Sequence, residues 1–193
     1  MTNVTLESPL VNIPRLGKRE LVVDGRACLL DEIALQDMLN IRGNAFDAAF
    51  VQAIASATGL TLPVQANTTS LRSQRQLLWL GPDEWLLKVP GGEGDAIEAA
   101  LRAALQGQHF SVVQVGSGNT TFSLQGAASA DLLSRGCPLD LHARAFPDGS
   151  LAQSHVAKAN VTLLCLQAGQ SYEITVRRSF ADYLFNWLCE AGT

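Results

Sequence analysis

Two side chains that could form a nucleophile and its base, Cys137 and His142, stand five residues apart. A cysteine attacks as the thiolate, so such a pair needs an imidazole within hydrogen-bond reach and surroundings that lower the thiol pKa. Cys137 instead follows a helical stretch closed by Gly136, and the negative end of a helix raises a thiol pKa. The spacing favours Cys137 as a small gap-filler and His142 as a hydrogen-bonded loop residue. None of His109, His142 and His155 has an acidic or Cys partner at i+3 or i+4, so metal-ligand spacing is missing.

Three further places could bind an anion or a cofactor. Gly116-Ser117-Gly118 opens like a dinucleotide fingerprint, but a strand-like run follows it instead of a third glycine and a helix. It reads as a turn. Gly91-Gly92-Glu93-Gly94 precedes a helix N-terminus, where an anion could sit. No strand-coupled lysine lies behind it, so a plain loop is the simpler reading. Arg177-Arg178 stands at the start of the last helix. It could grip a carboxylate or a partner's acidic patch, or be a solvated pair. The motif search thus finds no assembled catalytic set.

The elements that must position these groups are better marked. An amphipathic stripe of Phe46, Ala49, Phe50, Ala53, Ile54 and Ala57 predicts a helix capped by Asn44 and closed by Gly59. Leu77–Leu80 and Trp85–Val89 flank Gly81-Pro82-Asp83-Glu84 and predict a hairpin. Neither arm alternates cleanly, which predicts partial cover on both faces. A helix capped by Asp95 follows, with Ile97, Ala100, Leu101, Ala104 and Leu105 inward. Strands are predicted over 110–115 and 120–124, then a helix over 127–135, a strand over 151–156 and a hairpin over 161–166 and 172–176. Ser179 is predicted to cap the last helix, with the stripe Phe180, Tyr183, Leu184, Trp187 and Leu188.

Helix, loop, hairpin and helix therefore occur twice. The hairpin turns are offset by 86 residues and the last helix caps, Asp95 and Ser179, by 84. This predicts an α+β fold of two pseudo-repeated lobes, each an antiparallel sheet with helices on one face. The expected division is an N-terminal arm over 1–43, a first lobe over 44–109 and a second over 110–193. Pro9, Pro14, Gly17, Gly25 and Gly43 punctuate the arm, which is expected to lie on a partner or on the domain.

The loop Gly136–Pro147 is stiffened by Pro138 and Pro147. It also carries Leu139, Leu141 and Phe146, which favour burial, beside His142 and Arg144. A stiff, partly apolar loop should pack on something. With Arg177 and Arg178, these residues are the candidates for contact with another chain.

Bulk composition agrees. The 193 residues are 47% hydrophobic and 17% charged, with a net charge of −4. That excludes a basic nucleic-acid surface and hints at surface covered by a partner. No apolar run approaches the ~20 residues of a membrane span, and Met1–Glu7 lacks the features of a signal peptide. Cys28, Cys137, Cys165 and Cys189 lack C-x-x-C spacing and read as reduced structural thiols. A cytoplasmic, soluble protein is expected.

Four longer stretches carry a resemblance. They are Trp79–Leu87, Gly136–His142 running through Phe146-Pro147, Ala157–Leu163, and Val176–Leu184. Together they resemble the gamma subunit of bacterial heterotetrameric sarcosine oxidase, over about Phe46 to Trp187. The resemblance implies a T-protein-like fold, related to the folate-binding aminomethyltransferases of glycine cleavage. It implies alpha, beta and delta partner subunits, alpha most directly. Their complex oxidatively demethylates sarcosine to glycine and can pass the one-carbon unit to tetrahydrofolate. FAD, FMN, NAD and zinc would belong to those other chains, with no cofactor and no active site on this one. The alternative is a stand-alone folate-binding protein or aminomethyltransferase. Against it, the segment comparable to the acidic hairpin of that family is Lys158-Ala159-Asn160-Val161-Thr162, with no carboxylate. An Asn cannot take up a proton as Asp does.

Overall fold

The computed structural model describes residues 7–11, 18–33 and 35–192. The readings placed on residues 1–6, Pro14 and Gly17 lie outside them. The chain divides into two units, one of residues 36–116 and one of residues 1–35 with 117–193.

The 36–116 unit is a five-stranded antiparallel sheet with two helices. Its elements are β3 (Gln36–Arg42), α1 (Ala48–Thr58), β4 (Thr69–Arg72), β5 (Arg75–Gly81), β6 (Glu84–Pro90), α2 (Gly94–Ala104) and β7 (Ser111–Gln114). The sheet order is β4-β5-β6-β3-β7. The hairpin at Pro82-Asp83 joins β5 to β6, with Gly81 opposite Glu84. On one sheet face Leu39, Ile41, Leu77, Trp85, Leu87 and Val89 pack with residues of α1 and α2. The opposite face of β6 is covered as well: Leu86 and Lys88 are buried. This double burial is why the strand does not alternate cleanly.

Helix boundaries shift from expectation for local reasons. Asn44 does not cap α1; its Oδ1 accepts the N–H of Phe46 in a turn. Asp47 is the cap, accepting the N–H of Ala49 at 2.9 Å. Phe46 therefore lies before the helix and points to solvent, while Phe50, Ala53 and Ile54 are buried. Gly59, at φ 74°, closes the helix in the left-handed conformation glycine tolerates. Asp95 does not cap α2 either. Ala100 and Ala104 lie on its exposed side, while Ile97, Leu101 and Leu105 are buried.

The second unit is a six-stranded antiparallel sheet. Its elements are β1 (Arg19–Val23), β2 (Arg26–Ile33), β8 (Asn119–Gln125), α3 (Ser129–Ser134), β9 (Leu151–Val156), β10 (Ala159–Gln167), β11 (Ser171–Arg177) and α4 (Ala181–Ala191). The order is β1-β2-β8-β11-β10-β9. Phe122, Leu124, Leu163, Ile174 and Tyr172 meet Leu132, Leu133, Leu184, Phe185 and Leu188 from the helices. A 3-10 turn over Arg178–Phe180 leads into α4, and Ser179 makes no cap. The buried stripe of α4 is Ala181, Leu184, Phe185 and Leu188. Phe180 and Tyr183 stay 42% and 37% exposed.

The expected arm over 1–43 takes a different form. β1 and β2 extend the second sheet beside β8, and β3 sits between β6 and β7 in the other. Leu10, Leu21, Val23, Cys28 and Leu30 are core residues of the second unit. The boundaries fall at 35/36 and 116/117, not at 43/44 and 109/110, because backbone pairing enlists segments that carry little periodic signal of their own.

Candidate partner-contact surface

The loop after α3 is built around one buried ring. Phe146 lies against Tyr172 with centroids 6.5 Å apart and planes 16° from parallel. It is 7% exposed, and Leu141 is 5% exposed. Leu139 is partly buried on the same core. The three apolar residues of the loop are thus seated on their own unit. Around them the backbone is tied locally. His142 N–H donates to Asp140 Oδ1 at 3.0 Å, and the His142 carbonyl accepts from Ala145 and Phe146. Asp148 Oδ1 accepts from Ala168 N–H at 2.7 Å and anchors the loop's far end.

Cys137 and His142 are not assembled as nucleophile and base. Nδ1 of His142 accepts the Arg144 N–H at 3.2 Å, while Cys137 Sγ lies 3.9 Å from Ser154 Oγ. The remaining thiols are pushed away from reactivity. Burial raises the pKa of Cys165 to about 11, with the charge of Asp148 adding to it. Burial also raises Cys28 and Cys189. Among the described residues no group of three or more His, Cys, Asp or Glu could hold a metal ion. No helix among them is long and apolar enough to cross a membrane.

The charged and ring side chains that the loop leaves outward are His142 and Arg144, both exposed. Arg177 and Arg178 line a cleft of about 700 Å³ with Glu7, Ser8, Val11 and Gly118. Ser8 and Thr120 both donate to Glu32 beneath it. Among the described residues neither arginine makes an ion pair, so both guanidinium groups are available. The Phe180–Tyr183 pair, edge to face at 6.3 Å, adjoins them in sequence.

The glycine-rich Gly91–Gly94 loop does hold an anion, and that anion belongs to the chain. Asp37 Oδ2 accepts the N–H of Gly92 at 2.7 Å and of Gly94 at 2.8 Å. A Cβ on Gly94 would come within 2.9 Å of the Asp37 Cβ. Sequence reasoning missed this partner, because 57 residues separate Asp37 from Gly94. It also missed the full exposure of Phe46, which follows from Asn44 forming an Asx-type turn to Phe46 N–H.

A family model, "Sarcosine oxidase, gamma subunit family", matches residues 42–193. The sarcosine oxidase subunit gamma of Corynebacterium sp. (strain U-96) is 32% identical over 95% of this chain and 88% of its own length. The chain belongs to the sarcosine oxidase gamma subunit family. Its relative in Arthrobacter sp. is 34% identical over 86% of this chain and 81% of that one. Among solved structures, a chain of the heterotetrameric sarcosine oxidase from Corynebacterium sp. U-96 superposes with a TM-score of 0.79 and 30% identity, covering 89% of this chain and 86% of that one. The glycine cleavage aminomethyltransferase T of Bartonella henselae matches at a TM-score of 0.60 and 16% identity, over 82% of this chain and 44% of that one. The latter likeness is one of fold, and it agrees with the T-protein-like architecture of the two units.

Proposed function

We propose that this chain is a non-catalytic gamma subunit of a heterotetrameric sarcosine oxidase, supporting assembly with alpha, beta and delta subunits. The complex would oxidatively demethylate sarcosine to glycine in the cytoplasm, with FAD, FMN, NAD and zinc carried by the other chains. The observation that carries this reading is the match to a chain of the U-96 complex, at a TM-score of 0.79 over 86% of that chain.

The side-chain chemistry supports it. Ionisable groups that a transferase could use are engaged in holding the fold: Asp37 on the glycine loop, Glu32 under Ser8 and Thr120, and Glu93 on Arg75 at 2.8 Å. Two of the described clefts carry charged side chains: Arg177, Arg178 and Glu7 line one, and Arg72, Arg75 and Glu93 line another. Exposed Asn160 pairs with His155 in the hairpin and offers no carboxylate to a folate. His142, Arg144, Arg177 and Arg178 are the outward groups proposed to meet a partner, with Leu139, Leu141 and Phe146 holding their loop in place.

Co-expression with the three companion subunits, followed by subunit mass analysis and flavin absorbance, tests the reading. It predicts a complex containing this chain at one copy. Calorimetric titration of the isolated chain with tetrahydrofolate should give no binding heat. Tight folate binding by the chain alone would overturn the proposal in favour of a transferase.

A further inference from the structure

Phe46 is 98% exposed, although a phenyl ring is among the costliest side chains to leave in water. It does not sit on a loose segment. The Asn44 carbonyl accepts from Asp47 N–H at 3.1 Å, and Asn44 Oδ1 accepts from Phe46 N–H at 3.0 Å. Asp47 then caps α1 through Ala49 and its carbonyl takes the Val51 N–H at 3.0 Å. On the other side Gly43 N–H donates to Asp83 O at 3.1 Å, and Arg42 binds Asp83 Oδ2 at 3.0 Å. Gly43 is held flat against Phe50, where a Cβ would lie 2.2 Å from the ring. Residues 42–51 are therefore pinned at both ends, and between them Phe50 is buried while Phe46 points outward.

A rigidly displayed aromatic ring loses little conformational entropy on binding, and such rings are the usual anchors of protein interfaces. The corner also carries a charge. Asp47, Asp83 and Glu84 outnumber Arg42. A two-fold contact between copies would set this acidic corner against itself. The cleft lined by Arg177, Arg178 and Glu7 is mostly polar, and unsuited to a phenyl ring. We infer that Phe46 is an anchor that inserts into an apolar pocket with a basic rim on a different subunit. This rests on the proposed role as a subunit of the complex.

The test compares Phe46→Ala and Phe46→Leu with the parent in the co-expressed complex, reading the dissociation rate of this chain from its partners and the melting temperature of the chain alone. Phe46→Ala should speed dissociation roughly 10- to 100-fold, with Phe46→Leu intermediate. Neither should move the melting temperature of the isolated chain, and association should slow as salt rises. Equal dissociation for Phe46→Ala and parent would overturn the anchor and leave the subunit role standing. Failure of the parent itself to join the companion subunits would instead overturn the subunit role. Loss of melting temperature on Phe46→Ala would overturn the anchor by placing the ring inside its own fold. A homodimer of the parent that Phe46→Ala dissolves would overturn the choice of a different subunit.

Discussion

Phe146→Ala separates a loop that belongs to the core from a loop that is held for a partner. The ring is 7% exposed and stacked on Tyr172. Truncating a buried Phe costs about 3–5 kcal/mol, including the cavity left behind. Part of this, about 0.5–1.5 kcal/mol, is the specific ring pair and should appear as coupling in a double-mutant cycle with Tyr172→Ala. In a chain of this size each kcal/mol moves the melting temperature by about 2–4 °C, so the isolated chain should melt about 6–20 °C lower. Differential scanning calorimetry of the chain without its partners is the assay. The loop's hydrogen bonds from Ala145 and Phe146 to His142 hang from the same seat, so amide exchange there should quicken with the loss. An isolated Phe146→Ala chain that melts within a degree of the parent would refute the seating of this loop by its own sheet.

Three shorter predictions follow. Asp37→Ala strips the acceptor from Gly92 and Gly94 N–H; urea unfolding should show a loss of about 1.5–3 kcal/mol, and Asp37→Asn a smaller one. Cys165, with its thiol raised from 9.0 to about 11, should resist iodoacetamide at pH 8 in the native chain and react readily in urea. Its contribution to stability is fully present below pH 9 and is lost as pH rises toward 11, because the unfolded chain releases that proton first. A flat stability profile across that interval would contradict the burial of this thiol. Charge reversal at Arg177 and Arg178 together should weaken joining of the complex and flatten its salt dependence, with no change in the melting of the isolated chain; unchanged salt dependence would remove this pair from the contact.

Much of the architecture was legible because it rests on short-range signals. Strand β9 lies at Leu151–Val156 as expected, and Ala128, Leu132 and Leu133 face inward as their spacing requires. The misses fall where a local signal has two solutions. Asn44 and Asp47 are both good caps, and the choice between them rotates Phe46 out of the stripe. Phe180 and Tyr183 fit the α4 stripe by period, but the 3-10 turn at Arg178–Phe180 shifts the buried side toward Phe185. The short apolar pieces at 20–23 and 27–30 do lie in β1 and β2, which pair with each other, but by sequence they read as an arm because the strand that joins β2 to the sheet, β8, begins more than eighty residues later. Pairing at that distance leaves no mark in either segment. The candidate surface divides the same way: Arg177 and Arg178 stand out from sequence alone, whereas the seating of Leu141 and Phe146 depends on Tyr172 across the sheet.

The two sheets repeat one strand order. The run β8-β11-β10-β9 repeats the run β3-β6-β5-β4, but the strand beside β8 is β2 and the strand beside β3 is β7. One unit is completed by a strand that precedes its repeat, the other by a strand that follows. The repeat therefore accounts for four strands and two helices in each unit, and the flanking strands and connecting loops differ. In this chain those loops have become structural. Gly91–Gly94 closes on Asp37, Gly136–Pro147 closes on Tyr172, and the turn before Asn160 lies at the end of a plain hairpin. Outside these ties, Phe46 in one unit and Arg177 with Arg178 in the other stay at least partly exposed, and aromatic and arginine side chains are enriched at protein interfaces.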